Sequence, residues 1–317
     1  MGVSSVTVFG GSGFVGRHVV KELAKSGANV RVAVRRPDRA LFLKTMGDVG
    51  QVTPVAANIR DDASVAAAVE GSEAVINLVG ILFESGNRTF DAIHHLGAER
   101  IARAAAAAGA KRLVHVSAIG ADAQSLSDYG RSKAAGEAAV HSQFAAAAIV
   151  RPSIVFGADD DFFNRFGLFA QLSPVLPLIG GGKTRFQPVY VGDVAAAIAA
   201  ILANPDGGGR TYELGGPEIF TFRELLELVF QATGRRRLLV PVPFSVMELK
   251  GAVLGLAPEP LLTRDQVRML RTDNTAEHDL PGLADLGITP TAVSAVLSSY
   301  LSRYGRAGAL GPRPNAA

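Results

Sequence analysis

Along the first half of the chain, short runs of consecutive apolar residues alternate with longer stretches in which apolar positions recur every three or four residues. Val6–Phe9, Asn29–Val34 (NVRVAV), Gln51–Ala56, Ala74–Leu78 (AVINL), Arg112–Ser117 (RLVHVS) and Ala147–Val150 read as buried strands. Between them, helical periodicity runs over Phe14–Lys25, from Asp61, Asp62 and Ser64 onward, over Phe90–Ala108 closed by Gly109, and around Tyr129 and Lys133. Strands separated by helices of this length predict an α/β fold with parallel pairing, since only a crossover returns the chain in the same direction.

After Val155-Phe156-Gly157 the alternation breaks. DDFFNRF and the Pro- and Gly-rich LSPVLPLIGGGKTRFQPVYVGDVA are expected to form a lid or substrate-side loop over about 158–190, returning to a helix near Asp193. Thr211–Leu214 reads as a further strand, and Thr221 with Glu224 forms a capping box for a helix through Phe230. A helix-like apolar stretch follows Pro241-Val242-Pro243, and two more helices are expected over Leu261–Met269 and Thr289–Tyr304. The expected division is a dinucleotide domain at 1–215, a small C-terminal domain at 216–304, and a Gly/Pro/Ala-rich disordered tail at 305–317.

With 317 residues, 48% of them hydrophobic, the chain can fill one large core and a smaller one. Lys+Arg 32 against Asp+Glu 29 is too even a balance to predict nucleic acid as a partner. Without cysteine there is no disulfide framework, thiolate nucleophile or cysteine metal site. No metal is expected at His94 and His95 either, because neighbours on a helix point to different faces. No uncharged apolar run reaches the ~18 residues of a membrane span, and the first strand starts too early to leave room for a leader. The expectation is a cytoplasmic protein, soluble or peripheral on the inner membrane. Leu238–Leu256, preceded by Arg235, Arg236 and Arg237, reads either as core packing or as an interfacial helix giving peripheral membrane contact.

Candidate chemistry concentrates at two places. In VTVFGGSGFVGRH a strand meets a glycine turn and then a helix, so Gly10, Gly11, Ser12, Gly13, Phe14, Val15 and Gly16 are expected around a pyrophosphate at the helix N-terminus. A side chain at Gly11 or Gly13 is expected to occupy phosphate space. About 20 residues on, where an acidic residue would hold the ribose hydroxyls of NAD, stand Arg35 and Arg36. Guanidinium groups there predict NADPH over NADH, the alternative being a solvated basic loop. Asn58 and Ile59 fall on the adenine side, while Leu78, Val79 and Gly80 end the fourth strand, where open parallel sheets hold ligands. The second place is DYGRSKAAGEAAV, which sets Tyr129 and Lys133 on one helical face after Ser117. An ammonium beside a phenol lowers the phenol's pKa and equips it to pass a proton while hydride moves at nicotinamide.

Through GGSGFVG, NLVG, VSAIG and Tyr129-x-x-x-Lys133 the sequence resembles the extended and atypical short-chain dehydrogenase/reductase superfamily. This resemblance implies a doubly wound Rossmann sheet with a smaller C-terminal α/β domain, and places Pro152 and Ser153 in the wall beside the nicotinamide. It also implies Gln187–Val191 as a substrate-side strand, and a triad of Tyr129, Lys133 and a hydroxyl. Ile119 occupies the usual hydroxyl position, so the alternatives are that Ser117 or Ser125 substitutes or that no hydroxyl does. Further segments, VGILFES, DDFFNRF, KTRFQPVYVGDVA, TYELGGPE, LLTRDQVRML and DLPGLADLGI, are similar to the nucleotide-binding accessory subunits of respiratory complex I (NADH:ubiquinone oxidoreductase) and their bacterial relatives. That resemblance implies a largely structural NAD(P)H, with respiratory complex I or a related quinone-linked membrane complex as partner. The other expectation is an NADPH-dependent reductase or epimerase/dehydratase acting on a small carbonyl or quinone-like substrate.

Overall fold

The structure, a computed structural model, describes residues 3–305, so the expected disorder of the tail beyond Gly305 falls outside the described residues. Six strands alternate with helices: β1 (Ser5–Phe9), α1 (Phe14–Lys25), β2 (Asn29–Val34), β3 (Val52–Ala56), α2 (Asp62–Val69), β4 (Ala74–Asn77), α3 (Leu96–Ala107), β5 (Arg112–Val116), α4 (Asp128–Gln143) and β6 (Ala148–Pro152). Beyond them come β7 (Val155–Phe156), α5 (Phe162–Leu172), β8 (Val175–Ile179), β9 (Arg185–Phe186), β10 (Val189–Tyr190), α6 (Val191–Ala203) and β11 (Thr211–Leu214). The chain continues through β12 (Phe220–Thr221), α7 (Phe222–Thr233), β13 (Leu238–Val242), α8 (Phe244–Leu254), α9 (Arg264–Met269) and α10 (Val293–Leu301).

Seven strands form one parallel sheet in the order β11-β6-β5-β4-β1-β2-β3. Every residue of β4 is buried, as consecutive apolar residues require of a central strand covered on both faces. On one face Val19, Val20 and Leu23 of α1 meet Val194, Ile198 and Ile201 of α6; on the other Val65, Ile101, Ala105 and Val140 bring in α2, α3 and α4. The chain reverses its direction of progress across the sheet between β1 and β4, which opens a crevice at their carboxyl ends.

A second core lies outside the sheet. Phe156, Phe163, Phe186 and Phe222 pack with Leu225, Val229, Val267 and Leu297, and Phe162 stacks edge-on against Phe166 at 5.0 Å. Residues 158–190, expected as a loop, instead contribute α5, β8 and β9 to this core. β8 pairs in parallel with β13 and β9 in antiparallel with β12, partners 34 or more residues away that no local pattern names. Within the apolar stretch β13 takes Leu238–Val242, and the helix starts after Pro243, as expected from Pro241-Val242-Pro243. The capping box Thr263/Gln266 delays α9 to Arg264, and Thr291, tied to Asp193 through its N–H and hydroxyl, delays α10 to Val293. The first turn of the expected Phe90–Ala108 helix is π-helical at Asp91–His95. No described helix is long and apolar enough to cross a membrane.

Candidate dinucleotide site

β1 gives way to a turn at Gly10, whose φ of +79° bends the chain as few other residues could. A Cβ on Gly10 would stand 3.1 Å from the carbonyl carbon of Leu78, so the β1 and β4 ends run side by side. At Gly16 a Cβ would lie 2.3 Å from the Gly10 oxygen, which makes this glycine the close contact between turn and α1. Gly11 corrects the reading of its role: its Cβ would strike Val32 Cγ1 at 2.6 Å, so its missing side chain makes room for the core instead of a phosphate. Gly13 differs from all three. It is exposed, has φ −76°, and a Cβ there would approach only the Gly10 oxygen, at 3.3 Å. As N-cap it offers no side-chain acceptor to α1, and the first turn holds no acidic residue, leaving N–H groups and the positive helix end available to an anion. Ser12 and Val15 flank the turn half-buried, and Phe14 packs its ring where a Gly157 Cβ would come within 3.3 Å.

Arg35 and Arg36 are exposed at the end of β2. Arg36 pairs with Asp38 at 3.1 Å, holding that carboxyl below its usual range, whereas Arg35 forms no ion pair among the described residues. Asn58 donates its backbone N–H to Ser64 Oγ and accepts from the Arg60 N–H; Ile59 packs against Gly97. Leu78 N–H reaches the Phe9 oxygen, and Val79 N–H reaches Asn77 Oδ1. Asn77 is thus a loop clamp, with Nδ2 against His115 Nδ1 at 3.1 Å.

Gly80 links the turn side to α4, since a Cβ there would sit 3.9 Å from Lys133 Nζ. Lys133 is 4% exposed, and burial pulls its pKa down to about 8 despite the opposing charge of Glu137. Its ammonium donates to the Val116 carbonyl at 3.0 Å and has two N–H donors left over. Next to that carbonyl the buried Ser117 hydroxyl has no hydrogen-bond partner among the described residues. Tyr129 also departs from expectation. Lys133 Nζ lies 6.0 Å from its ring centroid, and burial pushes the phenol up to about 12 with no lowering from the ammonium. The Tyr129 hydroxyl makes no hydrogen bond among the described residues. Ile119 is 8% exposed, and Ser125 is engaged with Ser127 at the start of α4. Ser153 Oγ is consumed by Asn274, while Pro152 ends β6 in register with Leu214.

Several positioning residues carried no local signal. Asp265 of α9 accepts the Asp128 and Tyr129 N–H groups at 2.7 and 3.0 Å, while Ser127 accepts from Gly130, so the first turn of α4 is capped from two sides. Glu137, one turn beyond Lys133, holds Arg151 through two hydrogen bonds of 2.9 and 2.6 Å, and Glu213 adds a third contact. Asn274 bridges Ser153, the Ile154 N–H and the Ile119 carbonyl. His94, 1% exposed, accepts the Ile81 N–H on Nε2 and presents Nδ1 to Ser132 Oγ, which itself donates to the Tyr129 carbonyl. Burial first, and Lys133 second, push its pKa down to about 3, so the ring is neutral with its proton on Nδ1. LLTRDQVRML and the HH pair were visible in the sequence; that they reach Tyr129 was not. Among the described residues no group of acidic, His or Cys side chains could hold a metal.

A parallel sheet with a glycine turn at its switch point and a Tyr-Lys helix beside it defines a nicotinamide-dinucleotide fold. Residues 6–215 match the NAD dependent epimerase/dehydratase family, and the chain belongs to it. It is also 39% identical over 316 residues to the mitochondrial NADH dehydrogenase [ubiquinone] 1 alpha subcomplex subunit 9 of Arabidopsis thaliana, covering 95% of this chain and 78% of that one. The subunit of the same name from Mus musculus is 38% identical, covering 94% and 80%. A ceramide reductase of Caulobacter vibrioides is 32% identical over 251 residues, covering 78% and 77%. Among solved structures, the NADPH-dependent quinone oxidoreductase QOR2 of Escherichia coli in complex with NADPH shares the fold, with a TM-score of 0.75 at 20% identity over 93% of this chain and 99% of that one.

Proposed function

We propose that the protein holds NADPH as a largely structural ligand and docks at a membrane-bound NADH:quinone oxidoreductase or a related quinone-linked complex. The observation that carries the reading is a continuous path of unused capacity: the open N-terminus of α1 at Gly13, Gly80 beside Lys133, two spare ammonium donors and the orphaned Ser117 hydroxyl. These fit a dinucleotide. The α1 N-terminus would hold the pyrophosphate with Gly13 as the close approach, Arg35 and Arg36 a 2′-phosphate, and Lys133 with Ser117 the hydroxyls and amide at the nicotinamide end. In this reading residues 1–215 hold the cofactor and 216–304 supply the docking surface, on the cytoplasmic face of the membrane with peripheral contact. Similarity to subunits of that name over 94–95% of the chain supports the partner.

Bound NADPH supplies a hydride, but the residues beside it are poorly set to use one. Burial pushes the Tyr129 phenol up to about 12, which makes it a weaker proton donor to a substrate oxygen, and Ile119 offers no second donor. The test is retention and replacement. NADPH that co-purifies, stays reduced in air, and is kept by Tyr129→Phe along with rescue of membrane NADH:quinone activity in a strain lacking the protein meets the expectation; rescue lost with cofactor and fold intact overturns it. The second reading, an NADPH-dependent reductase or epimerase/dehydratase using Tyr129 and Lys133, draws on the Tyr129 and Ser117 hydroxyls, which have no hydrogen-bond partner among the described residues, and on the ceramide reductase similarity. Turnover of a carbonyl or quinone substrate abolished by Tyr129→Phe would favour it.

A further inference from the structure

α8 has the composition of a buried helix and stands on the surface. Met247 and Gly251 face inward, where a Cβ on Gly251 would lie 2.8 Å from the Thr263 carbonyl carbon, and this accounts for one side of the helix. On the other, Val246, Leu249 and Val253 follow at spacings of three and four, exposed by 43, 71 and 64%, and Leu256, 86% exposed, continues the run just past the end of the helix. Val246, Leu249 and Val253 make a single helical stripe, and no contact among the described residues explains it. The strand leading into α8 repeats the pattern: Leu238 and Val240 are exposed on β13, beside exposed Val175 on β8.

We propose that this α8 stripe is a lipid-binding face that seats the protein on an anionic bilayer. The proposal deepens the docking part of the reading above by naming the contact, and rests on it only for the location at a membrane. Chemistry selects the occupant. The exposed residues of the stripe are all Leu or Val, which insert among acyl chains, whereas protein hot spots favour Trp, Tyr and Arg and under-represent Leu and Val. The charges agree. Glu248, the one acidic residue of α8, is neutralised by Arg271 at 2.7 Å and Arg264 at 3.7 Å. Exposed Lys250 on α8 and Arg236 just before β13 have no ion-pair partner among the described residues and are available to phosphate headgroups.

The experiment is co-sedimentation of the full chain with vesicles of phosphatidylcholine containing phosphatidylglycerol, and with pure phosphatidylcholine. Native protein should sediment with the anionic vesicles and bind the neutral ones at least tenfold more weakly. L249E/V253E should lose at least tenfold in binding to the anionic vesicles with Tm and NADPH titration unchanged, and Arg236→Ser with Lys250→Ser should erase the preference for phosphatidylglycerol. Native protein that stays in the supernatant, or L249E/V253E that sediments like native, overturns the proposal. So does a native dimer that the double variant converts to monomer, which would make a second copy the occupant. Vesicles hold no respiratory protein, so failure here leaves docking by protein contact standing, while loss of complex capture with vesicle binding intact removes that docking and keeps the lipid face.

Discussion

Around the glycine turn and α4 the groups left without partners are polar: the Ser117 hydroxyl, two Lys133 donors, and the N–H groups opening α1. Around β13 and α8 the unpartnered surface is aliphatic, from Leu238 to Leu256. Both regions sit on closed cores, one of branched aliphatics over the sheet and one of packed phenylalanines, so neither is left unfinished by poor folding. The difference tells what each awaits. A buried polar group costs ~1–3 kcal/mol unpaired and can be satisfied by one ligand atom, so such groups mark a small, polar, directional ligand. Apolar surface gains only in proportion to area and without direction, so an exposed stripe marks an extended partner.

The sharpest break of that comparison is a glycine pair. Gly16→Ala should prevent folding or cost several kcal/mol, because its Cβ would lie 2.3 Å from the Gly10 oxygen, backbone that cannot move aside. Gly13→Val, at an ordinary φ and with only the Gly10 oxygen near its Cβ, at 3.3 Å, should fold with an apo Tm much closer to native than Gly16→Ala and lose dinucleotide binding altogether. Thermal melts with and without NADPH separate the two; bound nucleotide in Gly13→Val would move the ligand off this turn.

Next comes the arginine pair. Replacing Arg35 and Arg36 with serine should weaken NADPH by ~2–4 kcal/mol and NADH by little, since charge-assisted bonds contribute ~1.5–3 each without adding fully. Equal affinity of native protein for the two dinucleotides in a titration would remove the 2′-phosphate from the site.

His94 should make the polar region acid-sensitive. Its folded pKa of about 3 lies below the unfolded value near 6.5, so the unfolded chain binds the extra proton in between and stability falls as pH drops through that window. From pH 7 to pH 5 the loss from this group is ~2 kcal/mol, absent in His94→Gln. Urea denaturation of both proteins at the two pH values checks it; parallel losses would assign the acid sensitivity elsewhere.

The smallest effect is expected on the apolar side. Val253→Ser, at a position 64% exposed, should change stability by no more than ~0.5 kcal/mol by the same urea assay. A loss of 2 kcal/mol would show that the stripe is packed within the protein.

Local pattern was enough for the sheet and the turn. The six expected strands β1 to β6 and the four helices α1 to α4 appear where hydrophobic periodicity placed them, apart from the π-helical turn ahead of α3, because the apolar residues of each element repeat at its own period. The Tyr129–Lys133 helix face is likewise a property of sequence spacing alone. Tertiary structure decided what spacing cannot encode. Whether Leu238–Val242 is strand or helix depended on β8, and whether 158–190 is loop or core depended on Phe222 and its neighbours. Gly11 could be assigned to packing only once Val32 stood against it. Most of all, the environment of the Tyr-Lys pair is non-local: Asp265, Glu137 with Arg151, Asn274 and His94 fix the helix ends and loops around it. The low dielectric they enclose sets Tyr129 near 12 and Lys133 near 8, since a pKa answers to the burial and charges around a group, and these come from contacts across the whole fold.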